Sequence, residues 1–157
     1  MILAIDPGNE FSAYVFYDEQ QECMRAFGKL PNDEMRDIVS DGGVVGVPEF
    51  THAAIEMIAS YGMPVGREIF DTCLWIGRYL ECVKPHQTHS LVYRKDVKLH
   101  LCGSPRAKDS NIRRALIDRF GGDKETKKGG RLYKVSADVW SALAIAVTHS
   151  DSVRRAA

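Results

Sequence analysis

Ile2-Leu3-Ala4-Ile5-Asp6-Pro7-Gly8 opens the chain after Met1, and a second β-rich run, Phe11 to Tyr17, follows at once. An apolar run closed by an acid, a Pro-Gly turn and a returning run predict a buried strand, a tight turn and an antiparallel partner. Asp6 then stands at the end of a central strand. A lone buried acid is costly, so this carboxylate calls for a metal, a cation or a phosphate nearby. Capping the turn is the competing role. The stretch alone supports both equally.

Working outward, the polar turn Asp18 to Gln21 leads into a third strand, Glu22 to Leu30. Pro31-Asn32-Asp33 opens a short helix that ends near Asp41-Gly42-Gly43, with its acids in the first turns, where the helix dipole favours them. Ala53 to Ile58 reads as a central strand carrying Glu56 near its far end. A charge inside an apolar strand is a local conflict of the kind expected at functional sites; a strand-end Glu turned to solvent is the alternative. If this strand lies beside the first, Glu56 and Asp6 come together.

A long helix spans about Val65 to Val83. Its apolar stripe is Ile69, Cys73, Ile76, Leu80 and Val83, widened by Phe70, Leu74, Trp75 and Tyr79. So broad a face either packs wholly into the core or leaves surface for a partner subunit. A short strand, His89 to Arg94, a short helix, Lys95 to Leu101, and a helix capped by Asp109 or Ser110 and running to Phe120 come next. Gly121 to Arg131, rich in Gly and Lys, reads as a mobile loop. The last helix runs from near Ser136 to about Ser150. Ala142, Leu143, Ala146 and Val147 give it a small-residue face that can approach a sheet closely. Asp138, in its first turn, shares a face with Ser141 and Ala142 and is expected on the sheet-facing side. Simple dipole stabilisation of the helix start is the alternative.

With 157 residues, the chain is expected to form one α/β domain, residues 1–157. No basic leader and no bilayer-length apolar run stand out, so neither a secretory signal nor a membrane partner is expected. The four cysteines, Cys23, Cys73, Cys82 and Cys102, include no Cys-x-x-Cys pair. A reducing cytoplasm fits them better than zinc or disulfides. The five histidines lack His-x-x-x-His spacing and read mostly as surface or core residues, with His100 and His149 the exceptions to watch. Net charge is zero, yet it is segregated. Met1 to Tyr93 holds six basic and fourteen acidic residues, whereas Arg94 to Lys134 holds thirteen basic and five acidic. Such asymmetry points to a surface made for a polyanion; a solvated, salt-bridged helical face is the alternative.

Asp6, Glu56 and Asp138 each end an element whose other residues are core. Hard cations such as Mg²⁺ take carboxylate oxygens, and two of them can drive phosphodiester hydrolysis. At this point the segments "ILAIDPG" (Ile2 to Gly8), "AAIEM" (Ala53 to Met57), "ADVWSALAIAVTH" (Ala137 to His149) and the basic "VKLHLCGSPRAK" (Val97 to Lys108) resemble, in order, the motifs of RuvC-type Holliday-junction resolvases. The resemblance implies an RNase H-like fold, a mixed central sheet of about five strands with helices on both faces. It also implies Mg²⁺-dependent nicking, with Mn²⁺ as a substitute, of four-way or branched DNA by a homodimer in a bacterial or phage-infected cell. By it, Asp6, Glu56 and Asp138 match the metal-binding acids, and Lys98 and Lys108 match basic residues facing the scissile phosphate. Ser141 stands where the family carries a second acid, and Ala107 and Lys108 are adjacent where the family has a residue between them. Tyr61 is the candidate to stack on a junction base. Arg94, Lys95, Arg106, Arg113, Lys127, Lys128 and Arg131 are the candidates to hold DNA backbone. Rival readings are an RNA nuclease of the YqgF type, a junction-binding protein without strong catalysis, and an actin-like kinase, for which the chain is too short.

Overall fold

The computed structural model describes residues 1–60, 62 and 64–156. Strands β1 (Ile2–Asp6), β2 (Phe11–Asp18) and β3 (Cys23–Pro31) form the meander expected from the opening stretch. Then come α1 (Asn32–Asp41), β4 (His52–Met57), α2 (Arg67–Cys82), β5 (Thr88–Tyr93), α3 (Arg94–Cys102), α4 (Asp109–Arg119) and α5 (Val139–Ala156). The five strands make one mixed sheet in the order β3-β2-β1-β4-β5. The first three are antiparallel, while β4 and β5 run parallel to β1.

Strand periodicity divides the core in two. Leu3, Ile5, Phe16, Ala53 and Ile55 pack with Met35 and Val39 of α1 and Ile76 and Tyr79 of α2. Ile2, Ala4, Ala13, Val15 and Ala54 pack against α5, which is backed by α3 and α4. The small residues Ala142, Ala144 and Ala146 are fully buried, so α5 seats directly on β1 and β2. Layers above and below hide it from Val139 to Val147, apart from the half-buried Ser141, so it is buried around its circumference rather than along one stripe.

The structure decides one open alternative and corrects two expectations. First, on α2 only Thr72, Ile76 and Tyr79 are buried. Phe70 and Leu74 stay 63% and 54% exposed, because the helix meets the sheet over one narrow ridge. Second, Gly121 to Arg131 is not an open loop. It contains a 3₁₀ turn, Asp123–Thr126, whose Glu125 accepts the backbone N–H of Arg131 at 3.0 Å and whose carbonyl takes the N–H of the buried Leu132 at 2.8 Å. Third, α5 continues past Ser150 to Ala156, where Arg154 bonds Glu22 and the carbonyl of Glu19. Among the described residues no helix is long and apolar enough to cross a membrane.

A buried polar network fixes the turn after Asp6. Ser12 Oγ donates to Asn32 Oδ1 at 2.7 Å and lies 2.9 Å from the Tyr79 hydroxyl, while Asn32 Nδ2 donates to the Gly8 carbonyl at 2.9 Å. A Cβ on Gly8 would meet the Phe11 carbonyl oxygen at 2.4 Å. Gly8→Ala is therefore expected to cost about 1–3 kcal/mol, read from the midpoint of chemical denaturation.

Two of the histidines meet at the other end of the sheet. His52 stacks on His149 with ring centroids 4.0 Å apart, and both rings reach Ser90. Burial, then the neighbouring imidazole of His149, pushes His52 down to about 4. Between about pH 4 and the free value of 6.5, the unfolded chain binds more protons than the folded one. This site's contribution is therefore complete above pH 6.5 and lost as pH falls towards 4. Because the ring is only half buried, the loss is about 1 kcal/mol. Thermal melts of wild type and His52→Gln across that window check it: the difference between them should close as pH falls.

Candidate metal and nucleic-acid site

Side-chain alternation carries Asp6 and Glu56 to the same place. In β1, Ile2 and Ala4 face α5, so Asp6 does too; in β4, Ala54 faces α5, and so does Glu56. The parallel register pairs Ile5 with Ile55, which brings Asp6 beside Glu56 at the carboxyl ends of both strands. Asp138 arrives from α5. It precedes the first helical residue rather than lying in the first turn, and its carbonyl accepts the N–H of Ala142 at 3.1 Å. The left-handed backbone at Lys134 and Ala137 makes the tight entrance that shortens the helix. Asp138 is half exposed and looks across the sheet's end rather than down onto it.

Electrostatics marks these acids as unlike the others. Burial, then the negative charge of Glu56 and a hydrogen bond to it, raises Asp6 to about 8, and Asp138 adds to the shift. Burial also raises Glu56, against the pull of Arg94 and of Lys98. Burial and mutual repulsion thus favour the protonated form at both carboxyls. Two cations hold the rest of the charge. Lys29 Nζ lies 2.6 Å from Asp138 Oδ2. Arg94 Nη1 stands 3.7 Å from Glu56 Oε2, while its Nη2 donates to Asp109 Oδ1 at 2.8 Å. Arg94 Nη1 is buried and has no hydrogen-bond partner among the described residues, an arrangement that costs free energy.

Two clefts of about 410 and 620 Å³ meet at Asp138. The first runs from Asp6 over the Pro7-Gly8 turn to Lys29; the second holds Arg94, Asp109, Arg113, Trp140 and Ser141. Arg94 also borders a basic hollow of about 370 Å³ with Lys95, Lys98 and Pro105. Among the described residues, no three His, Cys, Asp or Glu side chains converge tightly on one point. Lys29 draws Asp138 aside and Arg94 stands next to Glu56, so cations of the chain itself compensate the acids. The donor set, all carboxylate and hydroxyl oxygen with room for water, fits a hard divalent ion and not zinc.

The structure gathers Asp6, Glu56, Asp138, Ser141, Arg94, Lys95, Lys98 and Arg113 around these clefts, with Arg113 lying 5.2 Å over the Trp140 ring. Lys108 is exposed at the start of α4, where its backbone N–H donates to Asn111 Oδ1; it lines none of the three hollows. Arg106, Lys127 and Lys128 are exposed farther out. Arg131 is tied to Glu125 and the Phe120 carbonyl, and Arg94 serves the acids. Tyr61 lies outside the described residues.

Sequence reasoning missed Lys29, and it read Asp109 only as a helix cap. Lys29 was recoverable in principle: Asp6 pairs with Ala13, and Ala13 pairs with Lys29, so one row across the meander carries the acid and the amine. Asp109 gave no signal, because its relation to Glu56 exists only once α4 packs on α3, whose Arg94 lies between the two acids.

Sequence comparison with protein-family models and with curated proteins finds no match. Comparison with solved structures does. The structure of Thermus thermophilus RuvC aligns with a TM-score of 0.72 at 15% identity, covering 99% of this chain and 96% of that one. T. thermophilus RuvC in complex with Holliday junction substrate aligns with a TM-score of 0.71 at 17% identity, covering 99% and 95%. The fold is therefore the one the sequence motifs led us to expect, over nearly the whole length of both chains.

Proposed function

We propose that this chain is a divalent-metal-dependent, structure-selective endonuclease that binds four-way and other branched DNA and nicks it. The observation that carries the reading is the placement of Asp6 beside Glu56 at the carboxyl ends of two parallel strands, with Asp138 across the cleft at the start of α5. The substrate class is supported by the whole-length likeness to RuvC, one of whose structures holds a Holliday junction.

Asp6, Glu56 and Asp138 would hold Mg²⁺ or Mn²⁺, with Ser141 offering a neutral oxygen. Bound there, such an ion activates a water for attack on phosphorus and stabilises charge on the leaving oxygen. The remaining roles belong to the chain. Glu56, as a carboxylate beside the Arg94 guanidinium, would orient a hydrogen-bonding water. Lys98 and Lys95 face the hollow beside it and would take phosphate oxygens. Lys108, Arg106, Arg113, Lys127 and Lys128 have no acidic partner within 4.0 Å among the described residues, so their charge is available to DNA arms. Such binding would be sensitive to salt and largely indifferent to sequence. A homodimer would place two such sites about a two-fold axis, matching the symmetry of a four-way junction. Phe70 and Leu74, exposed on α2, supply apolar surface for a subunit contact. A cytoplasmic setting is part of the same reading.

Incubation with a labelled synthetic four-way junction tests it. The expected result is strand-specific nicking near the crossover that requires Mg²⁺ or Mn²⁺ and stops with EDTA. Cleavage of single-stranded RNA in preference to the junction, or metal-independent cleavage, would overturn it.

A further inference from the structure

We propose that the cleft between α4 and the start of α5 seats one unpaired nucleobase of the DNA, stacked on the guanidinium of Arg113. The proposal rests on the branched-DNA reading above and gives a base, rather than a phosphate, its place beside the acids.

Three observations converge. First, the charge of this cleft does not suit a phosphate. It holds two guanidiniums, Arg94 and Arg113, and two carboxylates, Asp109 and Asp138, so cations and acids balance. The neighbouring hollow of Arg94, Lys95 and Lys98 has cations and no acid, and phosphate belongs there. What suits the cleft is a neutral, flat group with polar edges. Ile112, Val135 and Trp140 give it apolar walls, and Ser110 and Ser136 add hydroxyls. Its volume of about 620 Å³ lies within the range of roughly 300–1,000 Å³ usual for small-ligand sites.

Second, Arg113 is both free and held in place. The two acids of the cleft are engaged elsewhere, Asp109 by Arg94 at 2.8 Å and Asp138 by Lys29 at 2.6 Å. Arg113 is left without an acidic partner among the described residues, and its guanidinium lies 5.2 Å over the Trp140 ring. Trp140 itself is only 8% exposed, so the guanidinium is the open layer of this stack. A planar guanidinium is a surface on which any nucleobase can stack.

Third, the wall formed by Val135, Ser136 and Ala137 is bounded by left-handed backbone, with φ of 66° at Lys134 and 34° at Ala137. Residues with a β-carbon avoid this region, and such strain collects at ligand clamps. The cleft shares Asp138 with the cleft of Asp6, and Arg94 with the basic hollow. A base seated here therefore belongs to a nucleotide next to the phosphate that faces the acids. A base still paired and stacked in duplex cannot enter, so occupancy selects strands opened at a branch.

Fluorescence anisotropy in EDTA tests this, with thermal melts confirming that each variant is folded. The probes are a labelled short oligothymidylate and an abasic oligomer of the same length. Wild type should bind the oligothymidylate more tightly. Arg113→Ala should weaken that binding about tenfold, on the scale of losing one stacked base, and leave the abasic oligomer nearly unchanged. Arg113→Lys keeps the charge but not the plane, and should bind oligothymidylate as weakly as Arg113→Ala. Equal affinity of wild type for both probes overturns the proposal. So does an equal loss for both probes in Arg113→Ala, or wild-type affinity in Arg113→Lys, either of which makes Arg113 a phosphate contact. The two levels of the argument separate cleanly. A junction nicked as expected beside probes that Arg113 does not distinguish sinks this inference alone. An uncut junction beside the expected contrast sinks the nuclease reading and leaves the base site standing.

Discussion

Asp6→Asn is expected to lower junction nicking by at least about 10³-fold, the scale of removing a member of a catalytic unit. The same substitution should make the metal-free protein more stable. The reason lies in what the fold gives up to keep this acid. Asp6 is the last residue of a central strand, buried against Glu56, and its carboxyl is raised to about 8. In the unfolded chain it ionises near 3.8. Between those values the folded state binds more protons than the unfolded one, so stability falls as pH rises from about 4 to about 8. At neutral pH the penalty is on the order of 2 kcal/mol, after allowance for relaxation around the buried pair. Asparagine keeps the shape and a hydrogen bond to Glu56 without the titration. Denaturant unfolding in EDTA at several pH values should show the wild type losing more stability towards pH 8 than Asp6→Asn, which keeps only the titration of Glu56. Loss of nicking accompanied by loss of stability would instead mean that Asp6 is a structural turn residue.

Ala142→Leu should have the second large effect. Ala142 is wholly buried, and its N–H is bonded to the Asp138 carbonyl at 3.1 Å, one turn below the acid. Its small size lets α5 lie directly on β1. A leucine there has no void to fill, so the helix must lift at the end that carries Asp138. Overpacking of this kind costs about 1–3 kcal/mol. The distinguishing expectation is functional. Nicking by the fully folded variant should fall about 10²-fold, because misplacing a catalytic group by about 1 Å has that consequence. Ala144, just as buried but farther from the site, is the control: Ala144→Leu should match the stability loss and retain more activity.

The meander and the two-faced core were legible because they rest on local signals. Asp6-Pro7-Gly8 is a strand end and a turn in almost any context, and alternation through Ile2 to Ile5 and Ala53 to Ile55 fixes which way Asp6 and Glu56 face. Asp138 was found for the same reason, as an acid at a helix start, although the left-handed backbone at Lys134 and Ala137 moved the helix boundary past it. What was not legible depends on packing between distant elements. Arg94 reads as one more cation in a basic segment, yet burial beside β4 turns it towards Glu56. Asp109 reads as a cap, yet the placement of α4 brings it to the same guanidinium. Gly121 to Arg131 reads as flexible from composition. Its order comes from Glu125, which holds both Arg131 and the backbone N–H of buried Leu132, contacts that no composition rule reveals. On α2, periodicity found the helix but not how narrow its contact with the sheet would be, and so left Phe70 and Leu74 unassigned.

The most direct test of the central claim, that this end of the sheet is built to hold a divalent cation, is the anomalous scattering of a crystal soaked in Mn²⁺. The account predicts a peak in contact with the carboxylates of Asp6 and Glu56, with the Arg94 guanidinium displaced from Glu56. Peaks confined to other surface acids, with Arg94 still beside Glu56 at saturating Mn²⁺, would contradict it.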